Sequence, residues 1–433
     1  MLFSRIISDQ MLQIARAWLL TLLCFSTCPL MAQDAQSIYA EVSESIFQIL
    51  IIERESGKKV AIGSGFLIST GGQIATNFHV ISQAVHEPEK YRVEYLDSNG
   101  VQGPLSIVNF DVVHDLALVT LDSAPQLAPL RMANAEITKG EAVYSVGNPY
   151  DLGQTIVPGT FNGLLERSFY HRLLFSGSLN PGMSGGPSLN SSGDVIGINV
   201  ATSGNQISFL VPVKYLIALA EEDAANLPSE GYKDAIERQL VADQEYKYEL
   251  LIGREWTTQN LGEAQVAADL NDYFKCWGNT NDDENLKYRV TQTSCTSEDN
   301  IFVSARFHTG AIDYQYAWVT SEELNTLQFH SLFSTLYSSM FTRNRAAEDD
   351  VTNYQCEQDF VSDESSSRPE QWRSVLCVRQ YKHYPRLYDV LYMGSLFGEP
   401  DKALSSHFAL SGVTQKNAMA FSKKFLELQS WGS

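Results

Sequence analysis

The sequence predicts a mainly β protein: a barrel or sandwich in the N-terminal half, then an α+β domain held by disulfides. Two observations carry this. Short runs rich in β-branched residues and bounded by turn residues crowd the first two hundred positions, which is the pattern of an all-β sandwich or barrel. Four of the six cysteines, Cys276, Cys295, Cys356 and Cys377, all fall in the second half, where apolar residues also recur at helical spacing.

Arg16 precedes an apolar stretch from Ala17 to Ala32, after which Gln33-Asp34 opens a polar segment. Residues 1–32 therefore read as an export signal cleaved after Ala32, with Cys24 and Cys28 inside it. The stretch is shorter than the roughly 20 residues of a membrane span, so an uncleaved anchor is the lesser alternative. Strand-like runs follow at Ser45–Ile52, Gly65–Ile68, Tyr91–Leu96, Leu116–Leu121 and Val195–Val200, with turns at 97–100 and 190–193. Asn226 to Gly231 marks a break, and residues 218–259 read as a linker containing a charged helix from Tyr232 to about Ile252.

The rest, residues 260–433, reads as an accessory α+β domain. Thr320-Ser321-Glu322-Glu323 has the form of a capping box opening a helix with Phe329, Leu332, Phe333 and Leu336 on its apolar face. Thr414 is positioned to cap another, with Ala418, Phe421, Phe425 and Leu428 at helical spacing. Each cysteine pair precedes strand-like sequence and a helix, which suggests two similar units at about 260–345 and 346–433; convergent use of disulfide-bridged hairpins explains the likeness equally well. Four cysteines in an exported domain imply two disulfides in one of three connectivities. The local pairs Cys276–Cys295 and Cys356–Cys377 are favoured because each closes a short loop, a constraint that stabilises by roughly 3 kcal/mol. The aromatic residues here, among them Tyr314, Tyr316, Trp318, Trp372, Tyr381 and Tyr384, read first as core, with an exposed surface that captures a protein partner as the sharper alternative.

With 433 residues and 44% hydrophobic content, the chain is long enough for two or three cores. Its formal net charge of -20 argues against nucleic acid and anionic membranes as partners. No spaced set of His, Cys and carboxylates has zinc geometry, and no glycine-rich phosphate loop is present, so neither a metal nor a cofactor is expected.

Three short segments carry chemistry: Thr76-Asn77-Phe78-His79-Val80, His114-Asp115-Leu116-Ala117-Leu118, and Asn180-Pro181-Gly182-Met183-Ser184-Gly185-Gly186-Pro187. A serine hydroxyl is a poor nucleophile until an imidazole removes its proton, and the imidazole needs a carboxylate to fix its tautomer. His79, Asp115 and Ser184 supply those three groups. Acyl transfer also needs backbone N–H groups converging on the oxygen that becomes negative, which the N–H groups of Gly182 and Ser184 are placed to provide. His86, His114 and His171 lack flanks of this kind and read as structural or exposed.

These words resemble the HtrA-like bacterial branch of the trypsin-like serine proteases. The likeness is carried by Gly63–Ile68 running into Gly72–Val80, by Asp115–Leu118, by Gly147-Asn148-Pro149-Tyr150, and by Asn180–Pro187 followed by Gly193–Asn199. It covers roughly residues 36–217 and implies a double β-barrel of the chymotrypsin type, with His79 and Asp115 on one barrel and Ser184 on the other. Four departures stand out. Met183 occupies a position where the family usually has Asn, Ser176 stands where it has Asp, and Val113 replaces a frequent proline. Residues 218–433 contain no recognisable PDZ domain.

The resemblance maps the specificity pocket onto Leu179, Val200 and Ala201, all apolar. A buried Lys or Arg would find no carboxylate there, so cleavage after small or medium aliphatic residues of unfolded or loop-exposed polypeptide is expected. The expected activity is that of an exported serine endopeptidase, periplasmic or secreted, in protein quality control or substrate processing. The alternative is a protease fold that binds polypeptide with little or no turnover, as a chaperone or sensor. Relatives in the family are often trimers, but no residue here specifies an oligomer.

Overall fold

The computed structural model describes residues 30–202, 204, 206–222, 231–281, 283, 285–297, 299–338, 344, 346–362 and 371–431. The expected leader up to residue 29 and the break at 226–230 lie outside them. Helix α1 (Leu30–Val42) leads into β1 (Ile46–Glu53), β2 (Lys59–Leu67) and β3 (Gln73–Thr76), then helix α2 (Phe78–His86), β4 (Tyr91–Leu96), β5 (Gln102–Asp111) and β6 (Leu116–Leu121). These six strands close into a barrel in the order β1-β2-β3-β6-β5-β4. A second barrel follows from β7 (Ala142–Gly147), β8 (Thr155–Leu164), β9 (Leu173–Phe175), β10 (Pro187–Leu189), β11 (Val195–Thr202) and β12 (Ser208–Pro212), in the order β10-β11-β12-β9-β8-β7. Apolar side chains of both barrels, including Phe66, Leu118, Tyr144, Val146, Ile198 and Val211, form one buried cluster between them. The chymotrypsin-type double barrel implied by the sequence is thus the fold.

Helix α3 (Val213–Glu221) ends the second barrel, and α4 (Tyr232–Ile252) follows. This helix is packed along its length. Tyr232, Ala235, Ile236 and Leu240 join the core of the first barrel, whereas Tyr248 and Leu251 join the core of the C-terminal domain. Gln239 also grips the end of β5, its Oε1 accepting from Val112 N–H at 2.8 Å and its Nε2 donating to Phe110 O at 2.7 Å.

The C-terminal domain contains β13 (Thr258–Leu261), β14 (Ala264–Ala267), β15 (Phe274–Thr280), β16 (Arg289–Ser297), β17 (Ile301–Ser304), β18 (Phe307–Thr309), β19 (Ile312–Thr320), α5 (Thr326–Ser338), β20 (Gln355–Ser362), β21 (Gln371–Gln380), β22 (Tyr388–Glu399), β23 (Lys402–Val413), α6 (Gln415–Glu427) and β24 (Ser430–Trp431). Seven of these strands form one antiparallel sheet in the order β15-β16-β19-β23-β22-β21-β20. Strand alternation divides β19 between two faces. Tyr314 and Tyr316 lie in the core beneath α6 with Phe408, Phe421 and Phe425, while Val319 packs with Phe329 and Phe333 of α5. Both disulfides staple directly paired positions, Cys276 to Cys295 across β15–β16 and Cys356 to Cys377 across β20–β21. The two stapled hairpins therefore occupy opposite edges of a single sheet.

The capping box at Thr320–Glu323 does not open a helix. Thr320 is the last residue of β19, paired with Lys402, and Ser321 Oγ accepts from the N–H of Leu324 at 3.0 Å in a turn. The cap lies later. Asn325 Oδ1 accepts from Gln328 N–H at 3.0 Å and Gln328 Oε1 accepts from Asn325 N–H at 3.2 Å, the same reciprocal arrangement built from other residues. Thr414 does cap α6, its side chain accepting from Asn417 N–H.

Candidate active site

Strand β3 ends at Thr76, and Asn77 turns the chain into α2 with extended backbone angles, φ -88° and ψ 153°. His79 therefore sits in the first helical turn, where its backbone N–H has no intrahelical acceptor. Asp115 fills that vacancy. Its Oδ1 accepts from the His79 N–H at 2.8 Å while its Oδ2 meets His79 Nδ1 at 2.7 Å. Asp115 itself is buried, with φ 61°, in the turn between β5 and β6, and Asn77 Nδ2 secures that turn by donating to the Asp115 carbonyl at 2.7 Å. An Nδ1–H held by a carboxylate leaves the Nε2 lone pair available as a base. Burial opposes protonation of His79, but the charge and hydrogen bond of Asp115 outweigh it and hold the pKa above the ordinary 6.5.

Ser184 lies on the loop between β9 and β10. Its hydroxyl donates to Val200 O over 3.4 Å, a long bond, and not to His79. The N–H groups around it differ in use. Met183 N–H donates to Asn180 O at 3.0 Å and Gly185 N–H to Asn199 O at 2.9 Å, whereas those of Gly182 and Ser184 donate to no acceptor among the described residues. Two glycines make this loop geometrically feasible. Gly182 has φ 98° and a Cβ there would stand 2.4 Å from Asn148 O; Gly185 has φ 85° and its Cβ would stand 2.2 Å from Ser64 O.

Residues that the sequence reading did not single out hold the loop in place. Ser64, fully buried on β2, donates from Oγ to Gly182 O at 2.7 Å and from its N–H to Ser184 O at 2.7 Å, joining the two barrels at the loop. Asn199 sits beneath it. Its Oδ1 accepts from Ser145 and Ser188 hydroxyls, each at 2.8 Å, and its Nδ2 donates to Val146 O and Met183 O. Met183 is fully buried in the second-barrel core.

The expected pocket residues differ in their surroundings. Leu179 is 6% exposed and belongs to the second-barrel core with Phe175, Met183 and Leu210. Val200 lines a cavity of about 590 Å³ beside His79 and Asp115. Ala201 is in β11, its side chain outside the described set. His86 binds Val303 O through Nε2 at 2.8 Å, and His114 binds Asp111 through Nδ1 at 2.6 Å while stacking on Tyr215. Among the described residues, Asp269, Cys276 and Cys295 approach one another closely enough for a metal, but the two sulfurs are joined in a disulfide and offer no thiolate.

Two six-stranded barrels with a His–Asp pair on one and a glycine-bounded serine on the other define a trypsin-fold serine peptidase domain. Residues 63–198 match the trypsin-like peptidase domain family. The chain is 34% identical over 169 residues to a DegP-like periplasmic serine endoprotease of Buchnera aphidicola, covering 36% of this chain and 35% of that one. It is 32% identical over 182 residues to serine protease HTRA1B of Danio rerio, covering 40% and 37%. A solved serine endoprotease from Yersinia pestis shares 25% identity over 43% of this chain and 65% of its own, with a TM-score of 0.38. The matched segment is thus a trypsin-like peptidase domain, similar in sequence to HtrA-like serine proteases. The chain spans little more than a third of the length of the two curated relatives described.

Proposed function

We propose that this protein is an exported endopeptidase in which His79, Asp115 and Ser184 act as a triad. The observation that carries the reading is the pair of hydrogen bonds that Asp115 accepts from the His79 backbone N–H and ring Nδ1–H, which fixes both the ring and its tautomer. The mechanism requires the Ser184 hydroxyl to leave Val200 for His79; catalytic hydrogen bonds that are long in a free enzyme often tighten when substrate binds. His79 Nε2 then takes the Ser184 proton as Oγ attacks the carbonyl carbon. The carbonyl oxygen becomes negative against the N–H groups of Gly182 and Ser184. His79 next gives its proton to the leaving amine, and water, activated by the same imidazole, releases the acyl group.

Substrate is polypeptide in extended form, added beside β11, with small or medium aliphatic residues before the scissile bond. Export is supported by the two disulfides, which persist in oxidising compartments, and by the periplasmic relative. A role in protein quality control or processing fits such a substrate range. The test is incubation of the mature protein and its Ser184→Ala variant with an unfolded protein, with cleavage sites read by mass spectrometry. Cleavage by wild type alone, after Val or Ala more than after Arg, is the expected result.

A second reading is favoured by the Ser184 hydroxyl engaging Val200 in place of His79. On that reading the cleft holds polypeptide without efficient turnover. Rapid labelling of Ser184 by a fluorophosphonate separates the two, because only an activated serine reacts quickly.

A further inference from the structure

The cavity beside His79 is not built by the barrels alone. Strands β17 and β18 form a hairpin that leaves the main C-terminal sheet and reaches the peptidase cleft. Burial alternates along it as a strand requires. Ile301 and Val303 enter the first-barrel core, and Phe302 between them faces the cavity, its ring edge-on to His79 at 5.8 Å between centroids. His308, opposite Phe302 in the register, lines the same cavity with its ring 5.4 Å away.

The hairpin is tied to both barrels. On the first, His86 Nε2 donates to Val303 O at 2.8 Å. On the second, the buried Asp299 just before β17 accepts from Ser168 Oγ and, at 2.7 Å, from Phe169 N–H on the β8–β9 connection. Tied on both sides, the hairpin is a fixed wall. It does not plug the cleft, because about 590 Å³ remains between it and the barrels, a volume in the range that takes a small organic ligand or a short peptide.

We propose that the C-terminal domain completes the substrate cleft, with Phe302 the residue that selects the substrate side chain lying next to His79. The proposal rests on the peptidase reading. With the scissile carbonyl at Ser184 and its oxygen toward Gly182, the acyl side of the peptide leaves along β11 at Val200. Val200, His79 and Phe302 line one cavity, so the residue one step before the scissile position projects over the imidazole and meets the Phe302 ring packed beside it. With its ring against the edge of the imidazole, Phe302 walls that end of the cavity, leaving space for a small side chain there and excluding a large one.

The experiment uses fluorogenic peptides that share Val before the scissile bond and differ only at the preceding residue, Ala or Leu. The ratio of kcat/KM for Leu over Ala is measured in wild type, Phe302→Ala and Phe302→Trp. A ratio within one enzyme is independent of how much of it folds. Opening the wall should raise the ratio about tenfold in Phe302→Ala, and Phe302→Trp should lower it, the scale expected for a few methylenes in an apolar subsite. A ratio that stays within about twofold in both variants overturns the proposal. Equal acceleration of both peptides in Phe302→Ala also overturns it, since the hairpin would then be an inhibitory lid and not a selecting wall. If wild-type protein neither cleaves nor reacts with a fluorophosphonate at Ser184, the peptidase reading itself fails and takes the proposal with it; labelling with an unchanged ratio rejects the wall alone.

Discussion

The backbone N–H of Tyr150 donates to the carbonyl of Pro181 at 2.8 Å. In a planar trans peptide the C=O and the following N–H point in opposite directions, so this bond turns the Gly182 N–H away from Tyr150, the orientation the proposed oxyanion role requires. Tyr150 donates from a backbone at φ 52°, in the left-handed region that a side chain disfavours. Tyr150→Gly should keep kcat within about threefold, since glycine adopts that angle freely. Tyr150→Pro removes the donor and forbids the angle, and kcat should fall by about 10²-fold or more, the scale of losing one oxyanion donor. Steady-state kinetics on one peptide substrate decides it; equal activity in the two variants would show that the Gly182 N–H takes no part.

As the proposed general base, His79 must be neutral, and Asp115 holds its pKa above 6.5 despite burial. Activity should therefore rise with pH through a limb lying above 6.5. In Asp115→Asn the counter-charge is gone, so the limb should move to lower pH while kcat drops by about 10⁴-fold as the tautomer is lost. The same shift links to stability with a definite sign. A raised folded-state pKa favours the protonated fold, so this contribution is complete below 6.5 and fades as pH climbs through the raised value. A kcat/KM profile with its limb below 6.5 in wild type would contradict the arrangement.

The catalytic candidates were legible because chemistry of this kind packs its requirements into neighbouring residues. His79 stands two residues after Asn77, Asp115 precedes a strand, and Ser184 lies between Gly182 and Gly185. The residues that support them were hidden because their roles exist only across long stretches of chain. Ser64 meets Gly182 from 118 positions away, and nothing in Gly63-Ser64-Gly65 announces that. Strands β5 and β8 were missed for a local reason, since each carries Gly and Pro, which ordinarily argue against strand interiors. Phe302 had no signal at all. An aromatic between Ile301 and Val303 reads as ordinary strand sequence until the hairpin is seen to leave its sheet.

His407, on β23, lines the cavity of about 320 Å³ between the sheet and α5, and its Nε2 has no hydrogen-bond partner among the described residues. Burial pushes its pKa down to about 4. Its folded pKa is depressed, so the unfolded chain takes up a proton below pH 6.5 that the fold refuses until about 4. Destabilisation should grow across that window, reaching on the order of 3 kcal/mol at its acid end. His407→Leu should flatten the fall in denaturant midpoint between pH 7 and pH 4. An unchanged fall would assign the acid sensitivity to other groups.

The two disulfides close loops of similar size, 19 and 21 residues apart, so chain entropy alone predicts nearly equal losses of roughly 3 kcal/mol for opening either one. Their positions predict unequal effects on the active site. Strand β15 bears Cys276, and its neighbour Lys275 lines the His79 cavity with Asp299 and Phe302. Strand β20 bears Cys356 at the opposite edge of the sheet, and no residue of β20 or β21 lines that cavity among the described residues. The double variant Cys276→Ser with Cys295→Ser should therefore alter KM for peptides at temperatures where the protein remains folded, while Cys356→Ser with Cys377→Ser should lower the midpoint of unfolding by a similar amount and leave KM within about twofold. Matching KM values in the two variants would mean that the cleft does not sense the edge of the sheet nearest to it.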